Sequence, residues 1–443
     1  AIHLEDLKRA AALLESDPDE AHKLASEILN DDPDNAHALH IIGVILCRAG
    51  RHGYALGVWE RLSKIRPDKA EVWNNLGQTY AECGQHAKAR DAYRRSLSIK
   101  DDPDLLANMA VAFNEDGQYQ EGMKWAKRAL LKEPGHRNAT ATLGFSKIAL
   151  GDWSGWQEFK ASIGSKFRQP RDYAPDWDGK PVDSLVVYGE QGIGDEVMFA
   201  SMIADAQKDA KHITLECDER LEGLFKRSFP EVEVLGTRRT AKAWTRPFDA
   251  QVPCAGLTAF YRPTRESCPA VPYLKADPER RLQWRALFDT YKKPVIGICW
   301  SGGNKFTKRA LRKIGLDAFK PLIQGTDAVF VSLQYNDEEE EIQRSGLQVK
   351  RFPWATMSDD YDDTAALVAE LDMVVGIHTS VHHLAGALGV PSVILVPSKP
   401  MWNYATGDRL PWYASQTFHR QREHESWADC VKRLHLNKMK EAA

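Results

Sequence analysis

Two kinds of hydrophobic pattern divide the chain. Up to residue 165, apolar positions recur every three or four residues in blocks broken by Gly or Pro, the spacing of one buried helix face. After it the texture changes to short apolar runs of strand length. Ser184–Tyr188, Ile213–Cys217 and Val232–Leu235 are such runs, with helical patterns after Gly194 and after Asp218. A second series places strands at Pro294–Trp300, Ala328–Leu333, Val349–Phe352, Met373–Ile377 and Ser392–Val396. Helices near Leu316–Ile323, Asp362–Leu371 and Val381–Leu388 separate them. Nearly continuous apolar strands alternating with helices predict parallel sheets covered on both faces. The run RQPRDYAPDWDGKPVDS between the two textures, rich in Pro, Asp and Gly, predicts a surface linker. The expected division is therefore a helical domain over 1–165, a linker over 166–182, and two Rossmann-like domains over 183–285 and 286–443, facing across a cleft.

The helical part is periodic. Gly50, Gly84, Gly117 and Gly151 are spaced by 34, 33 and 34 residues. Gly43 and Gly77, Leu46 and Tyr80, Ala55 and Ala89, and Trp59 and Tyr93 are each 34 apart. A small residue lets the helices of a hairpin approach, an aromatic fills the gap, and a proline such as Pro67 or Pro134 stops the second helix. Leu4 to Pro33 reads as a degenerate leading unit, and Leu143-Gly144 with Gly151 opens a trailing one, about four and a half units in all. With Trp73-x-x-Leu76-Gly77-x-x-Tyr80, this part resembles tetratricopeptide (TPR) repeats. The resemblance implies an all-α superhelix with a concave protein-binding surface, and marks Trp73 and Tyr80 as candidate contacts to a polypeptide acceptor.

Composition narrows the classes. A net charge of -3 gives no sign of a nucleic-acid partner. The seven cysteines are scattered without a Cys-x-x-Cys pair, which argues against structural zinc and a disulfide framework. The opening AIHLEDLKRAAALL predicts no signal peptide. The longest apolar candidate, Val374–Val396, is interrupted by His378, His382, His383, Gly386, Gly389 and Pro391 and predicts no membrane span. A cytoplasmic protein without stable membrane insertion is expected.

Three loops follow predicted strands, where ligands of such folds bind. Gly189 to Glu196 is glycine-rich and leaves Asp195 at a helix start, as a reactive carboxylate in the cleft or as a helix cap. Trp300-Ser301-Gly302-Gly303-Asn304-Lys305 runs on through Lys308, Arg309 and Arg312, and suits a phosphate or a solvated basic surface. His378-Thr379-Ser380-Val381 opens a helix whose hydroxyls and N–H groups suit an anion, with His383 one turn in. Three histidines without a further ligand at a familiar spacing predict no metal. Gln334 and Trp402 join Gly194, Trp300, Ser301, Gly302, Lys305, His378, Thr379, Ser380, Val381 and His383 as candidates on the donor side.

At these loops the sequence resembles the heptosyltransferase-like glycosyltransferases of the GT-B fold. Ile193-Gly194-Asp195-Glu196-Val197 matches the family segment whose aspartate is the proposed catalytic base, so the resemblance gives Asp195 that role. The donor motif resembles His378-Thr379-Ser380-Val381 with His383-Leu384, departing at His378, where the family has an aspartate. With TPR units ahead of it and Gly407-Asp408-Arg409-Leu410-Pro411-Trp412-Tyr413 near its end, the chain looks like bacterial TPR-glycosyltransferases that modify flagellin. The resemblance implies metal-independent transfer of a sugar, such as pseudaminic acid, from a CMP- or UDP-type nucleotide-sugar to Ser/Thr hydroxyls of a flagellin-like protein. The nucleotide-sugar is then substrate, and no cofactor is expected. Two other readings stay open: a degenerate TPR adaptor holding a nucleotide or partner, and transfer to a glycan.

Overall fold

The computed structural model describes residues 3–163, 174–189, 191–237, 248–303 and 313–434. By internal contacts the chain divides into two units, Ala1–Leu150 and Gly151–Ala443.

The first unit is a run of helix pairs. They are α1 (Leu4–Leu13) and α2 (Pro18–Asp31), α3 (Ala36–Arg48) and α4 (His52–Ile65), α5 (Ala70–Glu82) and α6 (His86–Ile99), and α7 (Pro103–Glu115) and α8 (Tyr119–Lys132); α9 (Arg137–Ala149) follows. Side chains cap several starts: Asp17 accepts from the Glu20 N–H, Asn35 from Ala38 and Asp102 from Asp104. The two glycine series do different work. Gly50, Gly84, Gly117 and Gly151 have φ between 70° and 88°, the left-handed conformation that ends a helix. Gly43 and Gly77 are packing positions, since a Cβ there would lie 2.6 Å from the ring of Trp59 or Tyr93 respectively. One period further on, Ala110 and Ala126 are buried together with Leu143.

Ten strands lie among the described residues of the second unit. β1 (Val182–Tyr188), β2 (Ala210–Cys217), β3 (Glu233–Gly236) and β4 (Ala250–Pro253) form a sheet in the order β3-β2-β1-β4. β5 (Val295–Cys299), β6 (Val329–Ser332), β7 (Val349–Lys350), β8 (Met373–Ile377), β9 (Ser392–Val396) and β10 (Gln416–Arg420) form another, in the order β10-β9-β8-β5-β6-β7. Every pairing between these strands is parallel. A TPR-like helical region followed by two parallel-sheet α/β parts is the expected class.

Local corrections have physical reasons. The sequence reading missed β4 and β10, because β4, AQVP, is an edge strand with a Gln and a closing Pro and β10, QTFHR, is a mostly polar edge strand. The expected surface linker is not all surface. Ala174 and Trp177 are buried, and Trp177 donates its N–H to the Gln251 carbonyl on β4 (2.8 Å). Where the second helix of a fifth repeat would run, residues 153–162 make three short helical pieces. Their Trp156 packs on Phe199, Trp402 and Trp412 within the second unit, where the sequence reading had extended the helical domain to residue 165.

Candidate functional site

Each parallel sheet reverses its strand order once. The chain leaves β1 for β2 on one side and returns to place β4 on the other; likewise β5 is flanked by β6 and β8. Such reversals open a crevice beyond the carboxyl ends of the two central strands. The three loops singled out from the sequence follow β1, β5 and β8, so all three lie at reversals.

The helices after β1 and β8 meet at their starts. A Cβ on Gly194, in the helix Ile193–Phe199, would lie 3.1 Å from Ser380 Cα and 3.2 Å from His383 Cδ2. Both belong to the helix Ser380–Leu388. Gly194, Ser380 and His383, far apart in sequence, are therefore brought together. The loops after β5 and β8 are as close: a Cβ on Gly302 would lie 2.5 Å from Thr379 Cγ2. Asp195 is half-buried in the first turn, and its Oδ2 accepts the Gly192 N–H at 3.1 Å. Thr379 holds extended backbone just before its helix, whose first N–H groups carry the positive end of the helix dipole. Val381 is buried, so its side chain is packing and only its backbone belongs to that helix start.

Other donor-side candidates have different work. Trp300 is fully buried in the core of the six-stranded sheet, and its Nε1 donates to Glu341 Oε2 at 3.0 Å. It is a core residue, not a platform for a base or sugar. Gln334 is consumed as a clamp. Its Oε1 accepts the Trp300 and Ser301 N–H groups (2.9 and 3.2 Å), and its Nε2 donates to the Ser301 carbonyl and hydroxyl (3.0 and 2.7 Å). Ser301 is buried with it, so the pair shapes the loop after β5. The His378 ring is buried against Tyr404 (4.6 Å between centroids), with Nε2 3.2 Å from Met401 Sδ. Trp402 packs its ring on Trp156 and Phe159 (5.8 and 5.6 Å). Lys305, Asn304, Lys308, Arg309 and Arg312 lie outside the described residues.

The sequence reading gave no site role to His382, Tyr413 or Tyr273. His382 is wholly buried, with Nε2 3.1 Å from the Gly376 carbonyl at the end of β8; burial lowers its pKa to about 4. Tyr413 OH lies 3.2 Å from His383 Nδ1, and its ring sits against Gly386, where a Cβ would lie 2.3 Å away. Cys299, at the end of β5, is a buried thiol pushed up to about 12 and hence unreactive. Among the described residues no cluster of His, Cys, Asp and Glu could hold a metal ion, and no helix is long and apolar enough to cross a membrane.

In the first unit Trp73 and Tyr80 lie on the side of α5 turned to α4 and α6. Trp73 Nε1 donates to the Pro67 carbonyl (3.0 Å), and Tyr80 OH donates to Glu60 Oε1 (2.6 Å). Both line a cavity of about 720 Å³ with Lys64, Lys88 and Arg95. A separate groove of about 430 Å³ runs along the first helices of three successive units, α3, α5 and α7. Arg48, Asn75, Gln78, Glu82, Asn108 and Glu115 line it, none of them singled out from the sequence. The two consensus aromatics do not line that groove.

Residues 70–102, spanning α5 and α6, match the tetratricopeptide repeat family. The chain is 29% identical over 397 residues to Protein FlbA of Caulobacter vibrioides, covering 82% of this chain and 66% of that protein. A likeness of that extent runs across both units. The chain thus spans just under two thirds of the relative's length. Among solved structures, MamA 41-end from Desulfovibrio magneticus RS-1 is 18% identical over 36% of this chain and 94% of that one, with a TM-score of 0.33. YrrB, described as a TPR protein with an unusual peptide-binding site, is 14% identical over 31% of this chain and 72% of its own, with a TM-score of 0.27. The chain is a TPR-containing protein, with a relative whose likeness extends into the α/β unit.

Proposed function

We propose that this chain is a glycosyltransferase that moves a sugar from a nucleotide-sugar to a hydroxyl of a protein, with the TPR unit selecting the polypeptide. The observation that carries the reading is the contact of Gly194 with Ser380 and His383, which sets a carboxylate-bearing helix start against an anion-suited one. The acceptor hydroxyl loses its proton to Asp195 as its oxygen attacks the sugar's anomeric carbon, and the bond from that carbon to the phosphate oxygen breaks. Charge gathers on the leaving phosphate, where the start of the helix Ser380–Leu388 and the hydroxyls of Thr379 and Ser380 oppose it. The resemblance to flagellin-modifying TPR-glycosyltransferases suggests a nonulosonic sugar, a CMP- or UDP-type donor, a flagellin-like acceptor and a cytoplasmic site of action.

A second reading, a binding module without catalysis, draws on two observations. His378 is packed under its loop where the family has an aspartate, and Asp195 already serves as a helix cap. Asp195→Asn separates the two. An amide oxygen can still accept the Gly192 N–H, so folding and nucleotide binding should persist. Turnover, read as nucleotide released in the presence of protein acceptor, should fall about 10²–10⁴-fold if Asp195 is the base. Unchanged turnover with an unchanged melting midpoint would remove Asp195 from the chemistry.

A further inference from the structure

Two arginines meet at one glycine of the α/β unit, and neither has a carboxylate partner among the described residues. Arg420 is the last residue of β10. Ile377 on β8 pairs with Leu395, and Leu395 with His419, so Arg420 stands level with His378. It is two strands and about 10 Å away, at the end of the sheet where the crevice opens. Arg265 comes from the other sheet's side, in the chain after β4. Arg420 Nη2 donates to the Gly407 carbonyl (2.9 Å), and Arg265 Nη2 to the Arg409 carbonyl (2.7 Å). A Cβ on Gly407 would collide with Arg265 Nη2, so the two guanidiniums flank this residue. The Arg420 guanidinium also lies over the Phe418 ring, 5.2 Å from its centroid, and Phe418 packs on Tyr404, the partner of His378. Other half-buried arginines of this unit are paired: Arg220 with Asp218, Arg227 with Asp362 and Arg433 with Glu425. Burial and the neighbouring Arg265 lower the pKa of Arg420 from its ordinary value, as expected of a cation without a counter-charge.

We propose that Arg265 and Arg420 are an anion-binding pair that takes an oxyanion, a phosphate or a carboxylate, of a ligand bound beyond the six-stranded sheet. A guanidinium has five N–H donors in a planar fork, and each of these spends one on a carbonyl. The carbonyls fix the direction of the two forks without neutralising them. Two like charges held together are then relieved by an oxyanion, whose geometry matches the fork. Both side chains are only half-buried and Gly407 is exposed, so a small anion can reach them from solvent. The pair is separate from the start of the helix Ser380–Leu388, and its charge does not rest on the transferase reading. Under that reading the oxyanion is the donor's phosphate or the carboxylate of an acidic sugar.

The test uses the full chain and inorganic phosphate. The Nε–H resonances of Arg265 and Arg420 are assigned by their loss in Arg265→Lys and Arg420→Lys, which keep the charge. They are then followed in the wild-type protein while phosphate replaces chloride at constant ionic strength, so that screening does not change. Both should shift together and saturate, and phosphate should raise the melting midpoint. Arg265→Gln or Arg420→Gln should remove most of that rise. Arg351→Gln, at an arginine that already holds Asp337, should keep it. The same titration with N-acetylneuraminate, a sugar acid, separates the sources. A response to phosphate alone assigns the pair to a phosphate, and an equal or stronger response to the sugar acid assigns it to a carboxylate. If the two arginines merely clamp the loop 407–409, their resonances ignore both anions and any rise in midpoint is the same in every variant. That result would overturn the proposal. None of these readouts depends on turnover, so failure here is distinct from failure of the transferase reading.

Discussion

Adding one methyl group at Gly77 tests why the repeat has its form. In Gly77→Ala the new carbon would lie 2.6 and 2.8 Å from Tyr93 Cε1 and Cδ1, well inside the 3.5–4.0 Å or so of good carbon contacts. Tyr93 is only 3% exposed and borders the groove of α3, α5 and α7, so its ring can yield only by leaving its packed position toward that groove. Overpacking of this kind costs about 1–3 kcal/mol, while Ala gains about 1 kcal/mol over Gly in a helix. The net loss should be about 0–2 kcal/mol. Tyr93→Ala alone should cost about 3–5 kcal/mol through the cavity it leaves. In the double variant the methyl enters that cavity, so the total should fall short of the sum by about 1–3 kcal/mol. The chain already carries this combination one period later, as Ala110 and Ala126. Guanidinium unfolding of the four proteins, followed by helical circular dichroism, gives the cycle. Each repeat leans on its neighbours, so midpoints are to be compared within this one transition. A Gly77→Ala protein more stable than wild type, or strictly additive losses, would refute the close-approach argument.

Two further outcomes follow from the α/β unit. Folded His382 takes up a proton only near pH 4, whereas an unfolded imidazole does so near its ordinary value, about 6.5. Between these values the unfolded chain binds more protons, so stability should fall as pH drops through that window, by roughly 3 kcal/mol at most. His382→Gln should flatten the part of the melting-midpoint profile that this histidine contributes; an identical slope in both proteins would count against a buried neutral His382. Gly302→Ala should push Thr379 aside and weaken CMP or UDP binding by about one to two orders of magnitude, measured by calorimetric titration. Affinity equal to wild type would separate the loop after β5 from the proposed nucleotide site.

What was legible in the sequence was what recurs or what is uniformly apolar. The Gly43–Trp59 and Gly77–Tyr93 pairs could be read from spacing because each recurrence repeats one packing contact. Strands β8 and β9 were found with their observed limits because both are buried along their whole length. Trp73 and Tyr80 show a second consequence of the same logic. Residues that define a repeat are those that hold its helices together, so Tyr80 reaches across to Glu60 on α4 rather than into the groove of α3, α5 and α7. That groove is lined by residues such as Asn75 and Asn108, which no repeat pattern requires. Trp300 and Gln334 were misread for a related reason. A position just after a strand says that a side chain is near the crevice, but not whether a clamp such as Gln334–Ser301 absorbs its polar atoms.

The pairing of Gly194 with Asp195 has an explanation that no local rule supplies. Within its own helix the glycine is a weak choice, since alanine would favour the helix more. Its reason is tertiary: with Ser380 Cα 3.1 Å from where a Cβ would stand, a side chain there would push the two helix starts apart. The neighbouring aspartate is fixed by the same turn, one oxygen held by the Gly192 N–H. Capping and catalysis need not compete here. A carboxylate has two oxygens and several lone pairs, and anchoring one oxygen restricts the rotation of the other. A cap can thus lower the ordering cost of a base beside the contact where the two sheets' helices meet.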